Sequence, residues 1–304
     1  MGKIMKNKLW LTYALITTIF WGVWGAFISL PIENGFPETL GYCVWAFTMI
    51  PPAIFALNRI NWQLQYDGKS LIYGLIIGFL GAGGQLILFH AVTTGPAYLI
   101  FPVISLSPVL TIALSFLFLK ERSTKLGAAG IVLALIAIPL FDFAGGQGTS
   151  DHGVLWFLLA LIVMAAWGIQ AFFMRLSNET MHAESIFFYM TVTGLLLMPI
   201  AIYLTDFSQP INWGLDGPYL AAAIQSLNAI GVLFLVYAFR YGKAMIVSPL
   251  ANAGAPLMTS IIAMVLLGVI PGTYRLIAII LAIVAALLLS VEPDETPHKV
   301  GENN

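Results

Sequence analysis

A chain of 304 residues with 60% hydrophobic and 9% charged residues, and a mean hydropathy of +0.92, does not close into an ordinary water-soluble domain. Its formal net charge of −1, with no basic stripe to neutralise phosphates, excludes nucleic acid as a partner. The lone Cys43 excludes an internal disulfide and a cysteine-rich metal site, and no cofactor is expected.

Residues 1–8 are short and basic. The apolar run behind them is too long for a cleaved signal and lacks a small-residue cleavage pattern, so it reads as a retained first helix. Breaks at charged and Pro/Gly-rich positions then delimit ten apolar spans: 9–30, 38–57, 70–92, 97–119, 125–142, 153–174, 184–204, 217–240, 244–267 and 273–291. Several exceed the roughly 20 helical residues that bilayer hydrocarbon requires. The expected fold is therefore an all-α membrane protein of ten transmembrane helices. The Gly-rich stretch 143–152 links a first unit, 1–142, to a second, 153–291, and the polar tail 292–304 is expected to be disordered.

The fourth span holds Pro102, Ser105 and Pro108 inside an apolar run. Prolines leave carbonyls without intrahelical partners, and in lipid those carbonyls need neighbouring helices, hydroxyls or water, so this helix should line an interior. The pattern returns in the ninth span: at an offset of 147 residues, Gly95 falls on Gly242, Pro102 on Pro249 and Ser105 on Asn252. At an offset of 146, Trp21 falls on Trp167, Gly22 on Gly168, Phe27 on Phe173 and Glu38 on Glu184. The chain is an internal repeat. Five helices per unit start the second copy on the opposite side of the membrane, so the repeats are inverted, an arrangement that transporters use around a central cavity.

Cytoplasmic loops collect Lys and Arg. With the N-terminus inside, twelve of the thirteen basic residues fall on one side and only Arg275 on the other, which places both termini in the cytoplasm of an integral membrane protein, expected in a bacterial inner membrane.

The Trp21-Gly22 pair, Gly95 to Ala97, Ser107-Pro108, the Leu119-Lys120-Glu121 end and Gly127 resemble the drug/metabolite transporter superfamily of the EamA type over nearly the whole chain. The resemblance implies two inverted five-helix repeats around a substrate cavity, with small metabolites or drugs as cargo. Where the family keeps an acidic residue and a glycine in the second repeat, this chain has Gly268 and Ile277.

The polar side chains inside the spans are the candidate site. The third span sets Gly74, Gly78, Gly81 and Gln85 on one stripe, whose small residues permit close helix approach and turn Gln85 inward. The eighth places Gln225 and Asn228 three apart, with Asn228 near mid-span. Trp21, Trp24, Trp167 and Gln170 lie deeper than the interfacial belts and read either as an aromatic wall or as helix packing. Ser105 and Asn252 occupy matched positions beside prolines, where they satisfy freed carbonyls, touch cargo, or both. His90 reads as a wall residue near a helix end, Glu38 and Glu184 as acids favoured by helix N-termini, and Lys120, Glu121, Arg122 and Lys125 as an anchoring cluster.

A membrane-embedded enzyme is the competing class, yet no Asp or Glu lies mid-span and no His-Glu-x-x-His run occurs. A Ser105–His90 dyad would lack an orienting acid. The reading is a secondary transporter, an exporter or exchanger, whose partners are the lipid bilayer and a small-molecule substrate. Its amides and tryptophans suit neutral or zwitterionic metabolites such as amino acids, and sugars or lipophilic drugs almost as well.

Overall fold

The computed structural model describes residues 9–119, 125–142, 153–241, 247–268 and 270–290, and the regular structure among them is entirely helical. Lys120 to Arg122, the Gly145 to Gly148 linker, Gly242 to Ala244 and the 292–304 tail lie outside the described residues. Helix is what these sequences require, because a chain buried in hydrocarbon must pair its backbone groups within each segment. The principal helices are α1 (Leu9–Phe27), α2 (Glu38–Thr48), α3 (Ile50–Arg59), α4 (Gly68–Thr94), α5 (Ala97–Ile104) and α6 (Ser107–Leu119), followed by α7 (Lys125–Asp142), α8 (Leu155–Asn178), α9 (Ala183–Tyr203), α10 (Leu220–Tyr241), α11 (Gly254–Leu267) and α12 (Thr273–Ser290). Each of the ten expected spans thus carries helix. Among the described residues, eight helical segments are long and apolar enough to cross a membrane, and the apolar part of α12, Leu276–Ala285, is shorter.

Several spans expected as continuous helices are broken where proline removes a donor. The second splits at Met49 ahead of Pro51 and Pro52, giving α2 and α3. The fourth splits after Ile104, with Pro102 inside α5 and Pro108 in the first turn of α6, where its missing N–H matters least. The eighth opens with a turn, Leu215–Tyr219, kinked at Gly217 beside Pro218, and the ninth contains a π-helical stretch, Pro249–Ala253. Elsewhere ordinary capping sets the boundary: Asp67 accepts from the Ser70 N–H at 3.2 Å and from its hydroxyl at 2.5 Å, fixing the start of α4. The hydroxyl first, then the amide, hold the Asp67 carboxyl below its usual range.

Packing shows the repeat directly. α1 packs on α10 and α11, while α8, its counterpart, packs on α4 and on the α5–α6 pair. Of the remaining large contacts, α4 on α9 is answered by α2 and α3 on α10, and the others join counterparts to each other: α2 and α3 to α9, α5 to α11, and α7 to α12. Exchanging the two halves leaves this pattern unchanged, as an internal two-fold requires.

The loops show that the two-fold inverts the chain. Asn212, after α9, donates its N–H to Gly35 O at 3.0 Å and its Nδ2 to Asn34 O at 2.9 Å, closing the loop after α1. Gln65, its counterpart after α3, donates to Thr180 O at 3.0 Å, accepts from the His182 N–H, and accepts at its carbonyl from Tyr189 at 2.6 Å, closing the loop after α8. The 27 residues of α4 separate the two clamps, since α4 starts beside Gln65 and ends near His90, which meets Glu38 at 3.6 Å. Equivalent loops therefore sit at opposite ends of the bundle.

Candidate functional site

Near the middle of the bundle the two inter-repeat crossings are built on tryptophan seated over glycine. Trp21 of α1 lies over Gly231 of α10, where an added Cβ would come within 2.5 Å of the indole, and Trp167 of α8 lies over Gly84 of α4, where the distance would be 2.6 Å. Only glycine admits an indole this close to a helix backbone. Each ring nitrogen donates to a carbonyl three residues before the glycine: Trp21 Nε1 to Asn228 O at 3.1 Å and Trp167 Nε1 to Gly81 O at 3.4 Å. The two indoles meet across the pseudo-two-fold, stacked with centroids 6.4 Å apart.

These tryptophans form part of the wall of a central cavity. Gln85 of α4, Gln170 of α8, Asn228 of α10 and Asn252 line it with amides, and Trp45, Met49, Met190, Val232 and Leu235 complete its apolar side. Each of the four amide residues is at most 8% exposed. The space open to the centre of a water molecule is about 40 Å³, room for a few water-sized groups and too little for a metabolite. Among the described residues, no Asp, Glu, Lys, Arg or His is on the wall. Among the described residues, no three His, Cys, Asp or Glu gather as a metal site would require.

The amides differ in how they are held. Trp45 Nε1 donates to Asn228 Oδ1 at 2.6 Å, Gln170 Nε2 donates to Ile77 O at 3.0 Å, and Asn252 Nδ2 reaches Ser248 Oγ at 3.4 Å. Gln85 Nε2 is buried with no hydrogen-bond partner among the described residues. An amide left in this state loses hydration worth on the order of 1–3 kcal/mol by mutational data.

Six of the nine sequence candidates, Trp21, Gln85, Trp167, Gln170, Asn228 and Asn252, are therefore brought together. Three are not on the wall. Trp24 and Gln225 bond to each other at 2.8 Å, Nε1 to Oε1, and Ser105 donates to Pro102 O at 2.6 Å within its own broken helix. Trp45 was absent from the sequence candidates, because its repeat counterpart, at an offset of 146, is Thr191 and carries no matching aromatic. His90 lies outside the central cavity, in a separate pocket with Glu38, Thr39 and Phe89 near the end of α4. Glu184 stands in the first turn of α9 as expected and also accepts from the Tyr237 hydroxyl at 2.9 Å.

Similarity to known proteins agrees with this architecture. Protein LicB of Haemophilus influenzae is 23% identical over 268 residues, covering 78% of this chain and 89% of that protein. An uncharacterized protein of Methanocaldococcus jannaschii, MJ1333.1, is 32% identical over 130 residues, which is 43% of this chain and 93% of that one. A crystal structure 18% identical in sequence superposes with a TM-score of 0.66 over 92% of this chain and 98% of its own, a likeness of fold. Residues 8–141 and 154–291 each match the EamA-like transporter family, so the second half, despite Gly268 and Ile277, matches as the first does, and the chain belongs to that family of membrane transporters.

Proposed function

We propose that the chain carries a small neutral or zwitterionic metabolite through the central cavity by alternating access, as an exporter or exchanger in a bacterial inner membrane with both termini cytoplasmic. The observation that carries this reading is the buried, partnerless amide of Gln85 on a wall otherwise made of amides and indoles. A midplane site between inverted repeats is where such carriers bind. The small cavity, with the Asn212 clamp at one end of the bundle and the Gln65 clamp at the other, supports a carrier whose two ends open in turn. Uncharged walls favour cargo without net charge, because an unpaired ion would be costly there.

The test is Gln85→Leu. A structural glutamine stabilises the fold, whereas replacing an unsatisfied amide by an apolar side chain of similar size is neutral or stabilising. We expect the melting temperature of Gln85→Leu to hold or rise while substrate counterflow in proteoliposomes, using a solute found by thermal-shift screening of the wild-type protein, falls about tenfold or more. Unchanged counterflow with a lowered melting temperature would overturn the site.

A further inference from the structure

Two seams that answer each other in the repeat are built differently. In one, α9 is a continuous helix, and Gly74 and Gly78 of α4 let Tyr189 and Thr193 approach so closely that an added Cβ would come within 2.3 and 2.2 Å of them. In the other, α10 has Ala221 and Gln225 at the matching positions, an offset of 147, and its partner is broken at Met49 into α2 and α3. That seam holds an open groove of about 700 Å³, with Phe47, Pro51 and Phe55 on one wall and Tyr219, Ile230 and Phe234 on the other.

The surface of the groove is mostly apolar. Its two aliphatic hydroxyls give their protons to their own helices, Thr48 to Trp45 O and Ser226 to Ala222 O, each at 2.7 Å. From Tyr219 to Phe234 the helix rises about 22 Å, more than one leaflet's half of the roughly 30 Å of hydrocarbon. The end of the groove beside the Gln65 clamp is charged. Arg59 stands one turn after Phe55 on α3, and its guanidinium lies 5.7 Å from the centre of the Tyr237 ring, one turn after Phe234 on α10. Glu184 is engaged by the Tyr237 hydroxyl at 2.9 Å, and Arg59 forms no ion pair among the described residues. Arg240 bonds the carbonyls of Asn178 and Met181, which leave its charge in place, so two cations face one acid here.

We propose that the groove seats one acyl chain of an anionic phospholipid, whose phosphate is held by Arg59. A guanidinium is always charged and meets a phosphate through parallel N–H groups, and a hydrocarbon chain asks nothing of walls that offer no free donor. A second copy of the chain is the competing occupant. In the same membrane orientation, packed about a two-fold at this groove, it would bring its own Arg59 and Arg240 to the same end and set like charge against like. The lipid brings the opposite charge.

The experiment is native mass spectrometry of the purified protein, with phosphatidylglycerol and phosphatidylcholine of matched chains as probes. In the wild type one phosphatidylglycerol is retained about tenfold or more tightly than phosphatidylcholine, and glycerol phosphate, the same phosphate chemistry without a chain, does not displace it. Arg59→Gln brings the two lipids within about threefold of each other. Lys69→Gln is the matched control, because Lys69 is a cation near the same end that also rests on a ring, Tyr73 at 5.6 Å, but stands on α4 away from the groove. It leaves the preference unchanged. Ser226→Phe and Ala222→Phe each fill the groove and weaken both lipids about tenfold or more, with melting temperatures in lipid-free detergent reporting that the fold is kept.

Equal loss of preference in Lys69→Gln and Arg59→Gln would reduce the effect to general surface charge and overturn the site. Undiminished lipid binding in the groove-filling variants would overturn the seat. A wild-type mass of two chains that Ser226→Phe or Ala222→Phe reduces to one, with lipid binding unaltered, would give the groove to a second copy instead.

Discussion

The two crossings at the centre of the molecule share a backbone plan and divide at their side chains. α1 on α10 and α8 on α4 each seat an indole over a glycine and anchor it to a carbonyl three residues earlier. At the next step along the tryptophan helix they part. In the first crossing Trp24 donates to Gln225 Oε1, so two polar side chains satisfy each other away from the cavity. In the second, the counterpart of Trp24 is Gln170, which faces an α4 surface bared by Gly81 and bonds to a backbone carbonyl instead. One crossing spends its polarity internally, while the other leaves an oxygen over. Repetition built the scaffold, and departures from repetition made the site.

The largest expected effect comes from breaking what the crossings share. Gly84→Val or Gly231→Val drives a branched side chain into an indole that has a helix behind it and no room to yield. Overpacking of this kind costs about 1–3 kcal/mol, and occasionally more. Both variants should lose similar stability in SDS unfolding titrations and should lose counterflow as well. Loss at one seat alone would mean that the two crossings are not equivalent.

The middle effects separate what the crossings do not share. Trp24→Phe keeps an aromatic ring but removes the N–H, leaving Gln225 Oε1 buried without its donor, at about 1–3 kcal/mol of stability. Cargo affinity should hardly change, since neither residue is on the cavity wall. Gln170→Leu should do the opposite. Ile77 O keeps a lone pair for its own helix, so stability falls by about 1 kcal/mol or less while affinity drops by about tenfold. Parallel melting and binding measurements on the two variants decide this, and a Trp24→Phe protein that keeps its stability but loses cargo would invert the assignment.

How much of this could be read from the sequence follows from how far each feature depends on period. The spans, the repeat offsets and the α4 glycine stripe are periodic, and Gly74, Gly78 and Gly81 meet Tyr189, Thr193 and Gln170 as a single face would. Gln225 and Asn228 do share a face, but three residues is about 4.5 Å of helix rise, enough to take Gln225 out of the cavity and up to Trp24. Trp45 was hidden for a different reason. Its helix breaks at Met49, so the heading of α2 depends on how α2 and α3 both lean on α9, which no local pattern encodes. Ser105 likewise turned on the geometry of a break: once α5 ends at Ile104, its hydroxyl reaches the carbonyl of Pro102.

The smallest expected effect lies at the two ends, where the same comparison recurs. Glu38 and Glu184 are repeat counterparts in the first turns of α2 and α9, and at an offset of 147 His90 falls on Tyr237. Glu184 accepts a hydrogen bond from Tyr237 at 2.9 Å, with the Arg59 guanidinium 5.7 Å from the centre of the same ring and Arg240 donating to Asn178 O and Met181 O nearby. Among the described residues, Glu38 meets only His90, at 3.6 Å, across side chains 27% and 54% exposed. An open ion pair of that kind contributes about 0–1 kcal/mol, and a hydrogen bond to a carboxylate contributes more. Tyr237→Phe should therefore destabilise measurably and His90→Gln scarcely at all. His90 also lies apart from the cavity, whose wall carries no Asp, Glu, Lys, Arg or His among the described residues, and proton-driven carriers run their relays through such groups. His90→Gln proteoliposomes should then transport as the wild type does, with or without an imposed pH gradient. A gradient-driven flux that His90→Gln abolishes, with folding intact, would show that the exposed end of the molecule does chemistry its buried counterpart does not.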